Sequence, residues 1–225
     1  MSAPEMSARL IGRERQPLVV VDGFAPDPDG LRAAAAASRF GPAGHHYPGV
    51  RAPLPPDYLR TQAPVIATVL REAFGYAASM RVIDASFSVV TARPDELTVR
   101  QRLPHVDALT AGRIALLHYL SLDGGDGTAF FRHRATGFET VDEARAPVYF
   151  GQVDAELRHG GPPPAAYIAG DTPLFERFHG VEARYNRALI YRSSLLHSGA
   201  ISPGAALSPD PLAGRLTVTA FLEAE

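Results

Sequence analysis

Residues 214–221 read Gly-Arg-Leu-Thr-Val-Thr-Ala-Phe, and their alternation sets the reading of the whole chain. In a strand, side chains point alternately to the two faces, so Arg215, Thr217 and Thr219 share one face while Leu216, Val218 and Phe221 supply apolar cover. Working back from there, strand-like runs follow one another at short intervals: SFSVVTARP (86–94), LTVRQRL (97–103), GRIALLHYLSL (112–122), TAFFRHRATGF (128–138), APVYFG (146–151), RALIYRSSLLHSG (187–199) and RLTVTAFLEA (215–224). Gly, Asp and Pro separate them, as expected of strands joined by turns. Nearer the start, PLVVVD (17–22) reads as a short buried strand. Two helices are expected, one in LRAAAAASRF (31–40) ending at Gly41-Pro42, and one from about Tyr58 to Phe74 with Val65, Ile66, Val69 and Leu70 on one face.

This order predicts a mainly β protein with flanking helices, a jelly-roll core in which two sheets enclose a ligand. One domain is expected over residues 1–225, with the N-terminal strand and supporting helices at about 17–80 and the core at about 84–225. Twenty prolines, twenty glycines and no tryptophan fit short elements joined by turns.

Composition excludes several kinds of function. The chain has no cysteine, so thiolate metal sites, iron–sulfur clusters and cysteine nucleophiles are impossible, and a metal must use His, Asp, Glu or water. A net charge of -2 without a run of like charge argues against nucleic acid as a partner. No stretch has the length of a membrane span, and the start lacks the apolar run of a signal peptide, so a cytoplasmic protein is expected.

Of eight histidines, only His105 is followed two positions later by a carboxylate, Asp107. In an extended segment both point to the same side and can reach one ion. Chance would supply about one such pair in a chain of this composition. The pair alone therefore does not decide between a metal site and a structural His–Asp hydrogen bond. His197 ends an apolar strand, where a buried imidazole needs either a backbone carbonyl or a metal. Two histidines and one carboxylate leave coordination positions open, as in non-haem iron(II) sites. Arg215 on its strand would need an anion if it points inward, and its planar fork matches a carboxylate, with Thr217 able to add a hydrogen bond. A solvated arginine opening an edge strand is the alternative.

The series His105-x-Asp107, His197 and Arg215-x-Thr217 resembles the ligand and co-substrate motif of the iron(II)/2-oxoglutarate-dependent oxygenases. VVVDGF (19–24), HHYPGVRAPLP (45–55), LPHVDAL (103–109), GGDGTAFFRHRATGFE (124–139) and YNRALIYRSSLLHSG (185–199) are similar to one mostly uncharacterised bacterial branch. The resemblance implies a double-stranded β-helix, the jelly-roll form shared with cupins. It also implies iron(II) on His105, Asp107 and His197, and 2-oxoglutarate anchored by Arg215 and Thr217. Tyr119 occupies the strand from which family members often add a hydroxyl to the co-substrate. Because halogenating members often have a small residue in place of Asp107, its presence implies hydroxylation, with O2 consumed and succinate and CO2 released. A small-molecule or amino-acid-type substrate is expected, which Gln101, Arg132 and Arg134 could touch; oligomeric state stays open. A cupin-type metalloenzyme that does not use 2-oxoglutarate and a non-catalytic jelly-roll binding protein remain as alternatives. His118 should face away from Tyr119, and Arg192 away from His197. His45 and His46 lie in a Pro-rich loop that could cover the site.

Overall fold

Why the chain folds as two layers of sheet is visible in its burial pattern. The computed structural model describes residues 3–44, 47–77, 79–205 and 207–224, so His45 and His46 lie outside the described residues. In chain order the elements are β1 (Glu5–Ile11), β2 (Gln16–Asp22), α1 (Pro28–Ala37), β3 (Gly41–Pro42), β4 (Gly49–Pro53), α2 (Tyr58–Phe74), β5 (Met80–Val90), β6 (Arg113–Tyr119), β7 (Gly125–His133), α3 (Ala146–Gly160), β8 (Phe175–Ala183), β9 (Arg187–Arg192), β10 (His197–Gly199) and β11 (Leu216–Ala224). Eight strands form the larger sheet in the order β1-β2-β9-β6-β11-β5-β4-β3, and β10-β7-β8 form the smaller one. The named strand pairs are antiparallel. This is the jelly-roll, double-stranded β-helix architecture expected from the strand series.

The outer face of the larger sheet packs Val19, Val21, Phe87, Val89, Ile114, Leu116, Ile190, Leu216, Val218 and Leu222 against Ile66, Val69, Leu70 and Phe74 of α2 and Ala35 of α1. Its inner face meets the smaller sheet through Leu18, Val20, Tyr119, Phe130, Leu189 and Tyr191. α3 closes the far side, with Tyr149 and Val153 against Ala129, Phe131 and Phe175. Fully burying one such large apolar side chain stabilises by about 1.5–3 kcal/mol. Polar residues on the inner face forgo that gain, and they are concentrated in one place. Across six adjacent strands the registers align Asp22 (β2), Arg187 (β9), Tyr119 (β6), Thr217 (β11), Ser88 (β5) and Arg51 (β4). Residues paired directly across strands share a face, so these six form one polar row through the interior.

Four sequence expectations need correction. APVYFG is not a strand: it opens α3, with Pro147 in the first helical turn and Ala146, Tyr149 and Val153 buried at helical spacing. LTVRQRL is not a strand either, because Val99–Arg102 forms a 3-10 turn capped by Thr98. RALIYRSSLLHSG divides into β9 and β10, which belong to different sheets. The loop 41–57 contains β3 and β4. Of the missed strands, β1 is an edge strand that is exposed along nearly its whole length, so it carries no apolar alternation to read. Among the described residues no helix is long and apolar enough to cross a membrane.

Candidate metal centre

The segment after the 3-10 turn runs extended alongside the start of β10. His105 N–H donates to the His197 carbonyl and His197 N–H to the His105 carbonyl, both at 2.9 Å, and Asp107 N–H donates to the Ser193 carbonyl at 2.8 Å. This pairing aligns His105 with His197, and the strand period brings Asp107 to the same side. The result is the cluster His105, Asp107 and His197, with ligand atoms within 4.8 Å of one another. The two Asp107 oxygens face different rings, Oδ1 at 3.7 Å from His105 Nε2 and Oδ2 at 3.4 Å from His197 Nε2. Bonds of about 2.0–2.2 Å to one ion place adjacent ligand atoms about 3–3.5 Å apart, so small rotations suffice to close the set.

The donor chemistry fits a metal. His197 Nδ1 lies 2.8 Å from the Leu195 carbonyl, which can only accept, so the proton sits on Nδ1 and the Nε2 lone pair faces the cluster. Burial holds the ring neutral by lowering its pKa to about 4. Burial also raises the Asp107 pKa to about 6, against the opposing influence of His105 and Arg51, so the carboxylate is in want of a cation. The His105 side chain is 53% exposed, whereas those of Asp107 and His197 are 13% and 7% exposed, so the cluster is open on the His105 side.

Arg215 approaches from the start of β11. Its guanidinium lies over the Tyr119 ring at 5.6 Å and donates to the Gly127 carbonyl at 2.8 Å. No carboxylate pairs with it among the described residues. Thr217 is buried and reaches the Ser88 carbonyl at 3.3 Å. The Tyr119 hydroxyl lies 2.7 Å from Thr128 Oγ1. Tyr191 links the two halves of the site. Its ring packs edge-on to His197 with centroids 4.9 Å apart. Burial drives its pKa well up, Asp107 pushes it further up, and Arg215 pulls it down, so its hydroxyl feels both the cluster and the arginine.

The residues suggested as substrate contacts are engaged elsewhere. Arg132 is buried and paired with Glu139 and Glu176, the Glu139 carboxylate also taking the Arg13 and Glu14 N–H groups. Arg134 is half exposed and reaches Asp171 and the Thr172 carbonyl. Gln101 closes the cap of its own turn with Thr98. His118 does face away from Tyr119, toward Tyr58, and Arg192 donates to the Tyr76 hydroxyl and the Ala111 carbonyl.

Sequence reasoning missed Tyr47, Arg51, Ser88, Tyr191 and Ser193. Ser88 and Tyr191 were legible in principle, since each alternates with apolar neighbours on a strand. Tyr47 and Arg51 sit in a segment whose Pro and Gly content conceals β4. Among the described residues, four buried side-chain polar atoms have no hydrogen-bond partner: Tyr47 Oη, Arg51 Nε, Arg113 Nε and Ser193 Oγ. Such orphans are rare in folded proteins and accompany functional sites. Ser193, whose carbonyl holds Asp107, adjoins the cluster, while Arg51 lies in the polar row opposite Ser88.

Fold and site together define a jelly-roll protein with a His-Asp-His cluster and a carboxylate-free arginine on its inner face. The chain belongs to a family of unknown function, DUF6445, whose model matches residues 2–222. No curated protein matches it in sequence. Among solved structures it is similar to the non-heme alpha ketoglutarate dependent epimerase SnoN from nogalamycin biosynthesis, with a TM-score of 0.50 and 16% identity over 93% of this chain and 79% of that one. It is similar as well to HygX from Streptomyces hygroscopicus with nickel and 2-oxoglutarate bound, at 0.49 and 15% over 95% and 87%. EctD from S. alaskensis with bound Fe follows at 0.45 and 12% over 99% and 84%. At these identities the likeness establishes the fold alone.

Proposed function

We propose that this protein is an iron(II)- and 2-oxoglutarate-dependent oxygenase that hydroxylates a small-molecule or amino-acid-type substrate. The observation that carries the reading is the His105, Asp107 and His197 cluster, whose ligand atoms lie within 4.8 Å of one another, together with an Arg215 that no carboxylate pairs among the described residues. His105, Asp107 and His197 would hold iron(II), leaving positions open on the exposed His105 side. Bound there, iron(II) would supply activation of O2 coupled to decarboxylation of 2-oxoglutarate to succinate and CO2.

The chain's own contribution is binding and orientation. Arg215 would take the distal carboxylate of 2-oxoglutarate in its planar fork, held flat by the Tyr119 ring and fixed by the Gly127 carbonyl. Thr217 and Tyr119 line the same row and would present hydroxyls to that carboxylate. The apolar wall of Phe130, Leu189 and Tyr191 keeps water from the inner side of the cluster.

The test is direct. Anaerobic addition of iron(II) and 2-oxoglutarate should produce a visible charge-transfer band that both His105→Ala and Asp107→Ala abolish. Its retention in both variants sinks the ligand assignment. Formation of succinate from 2-oxoglutarate separates this reading from a cupin-type enzyme that does not use the co-substrate.

A further inference from the structure

The polar row has an arginine at each side of the sheet, and the two are finished differently. Arg187 is closed by Asp22, whose two oxygens accept from Nε at 2.7 Å and Nη2 at 2.8 Å. Arg51 has no such closure. It lies over the Tyr47 ring at 4.8 Å and reaches one oxygen of the half-exposed Asp84 at 3.4 Å through Nη1. Its Nε is buried without a hydrogen bond, and so is the Tyr47 hydroxyl, which approaches Thr217 and Ser88 without closing a well-formed bond to either. Leaving either donor buried and unmet costs about 1–3 kcal/mol.

Strand register seats Arg51 in the polar row, opposite Ser88, which in turn stands opposite Thr217. Burial raises the Tyr47 pKa, and Arg215, Arg51, Thr217 and Ser88 oppose that rise, so its hydroxyl faces the co-substrate side of the row. The backbone is shaped to bring them there. A Cβ on Gly49 would meet the Val89 carbonyl oxygen at 2.0 Å and Val90 Cα at 2.9 Å, so only glycine lets β4 lie this close to β5. The ligand complementary to an N–H donor, a hydroxyl and a net positive field is an anion with planar acceptor atoms.

We propose that Arg51 and the Tyr47 hydroxyl form a second carboxylate-binding position, at the β4 end of the polar row. It rests on the oxygenase reading, in that Thr217 of the same row is there given to 2-oxoglutarate. The carboxylate can come from the substrate or from 2-oxoglutarate, and the experiment separates these sources.

The protein is loaded with nickel(II), which supports binding without turnover, and titrated calorimetrically with 2-oxoglutarate. The resulting complex is then titrated with free and N-acetylated L-amino acids, each paired with its carboxamide. Arg51→Gln, Arg51→Lys and Tyr47→Phe are measured beside the parent. We expect Arg51→Gln to weaken one carboxylate-binding event about tenfold or more while nickel affinity stays unchanged. Weakened 2-oxoglutarate assigns the position to the co-substrate. Unchanged 2-oxoglutarate, with loss of the parent's preference for acid over amide, assigns it to the substrate. Arg51→Lys, which keeps the charge without the fork, should lose most of the same affinity, and nickel binding in it reports an intact fold. The inference is overturned if Arg51→Gln binds 2-oxoglutarate like the parent and either no acid is preferred over its amide in the parent or the preference survives the substitution. A nickel-loaded parent that does not bind 2-oxoglutarate overturns the oxygenase reading, and this position with it.

Discussion

His105 and His197 exchange a reciprocal pair of backbone hydrogen bonds, and this sets their rings 4.4 Å apart. The two imidazoles are thus registered by strand pairing rather than by a mobile loop, and the cluster is preorganised by backbone. Removing a ligand side chain should therefore leave the local geometry standing.

Metal binding should stabilise the fold by linkage. At about one hundred times its dissociation constant, nickel(II) or iron(II) is expected to add about 2.7 kcal/mol, read from urea unfolding with and without metal. Asp107→Ala should fold and lose that increment. An equal increment in the variant would place the metal elsewhere.

Arg215→Ala is expected to weaken 2-oxoglutarate binding by about 10- to 100-fold with little change in metal affinity, since it removes a charge-assisted bond and no ligand. Arg215→Lys should rescue poorly, because the flat guanidinium stacks on Tyr119. Calorimetry on the nickel-loaded protein checks both, and unchanged 2-oxoglutarate affinity in Arg215→Ala contradicts the assignment.

Arg132→Ala should act on stability alone. It strands the Glu139 carboxylate, whose side chain is 0% exposed, and breaking a buried pair from one side costs about 3–5 kcal/mol. A lowered Tm with parental metal and 2-oxoglutarate affinities is the expected pattern. Parental stability with selectively lost substrate binding would return Arg132 to the site.

Stability should fall with acid partly through His118. Its Nε2 lies 3.0 Å from Asn186 Oδ1, an amide oriented by the Ala25 backbone, and Tyr58 lies 3.0 Å from its Nδ1; burial holds the ring neutral against the Asn186 contact. Burial lowers its pKa from 6.5 to about 4. Below its ordinary pKa the unfolded chain takes up the proton that the fold refuses. The stabilisation is therefore complete above about pH 6.5 and is lost as pH falls toward about 4, amounting to about 2 kcal/mol between about pH 7 and about pH 5. Urea unfolding of His118→Gln should show a shallower loss than the parent over that interval. Comparing the two proteins cancels His197, which titrates in the same sense, and Asp107, which opposes it. Equal slopes would remove His118 from the account.

Where a side chain's role depends on neighbours a few positions away, the sequence disclosed it. The β11 alternation, the α2 stripe and the His105-x-Asp107 spacing are local periodicities, and each appears in the structure, except that Phe221 packs on the inner face and not with Leu216 and Val218. APVYFG failed because Val, Tyr and Phe favour strands, while the helical spacing of Ala146, Tyr149 and Val153 needs a longer window and a sheet to pack on. The engagement of Arg132 was not legible because its two carboxylates, Glu139 across the turn after β7 and Glu176 on β8, are brought to it by the fold.

By itself the sequence determined a β-rich fold, a cysteine-free donor set and the three residues able to share a metal. Tertiary structure alone decided which arginines are free to bind. Arg132 and Arg187 meet carboxylates across strands, while Arg215 meets none among the described residues and Arg51 reaches Asp84 only through Nη1, its Nε left buried and unmet. The physical reason is that a guanidinium's availability depends on the nearest anion in space. Strand order and register set that neighbour, and no local pattern of residues reveals it.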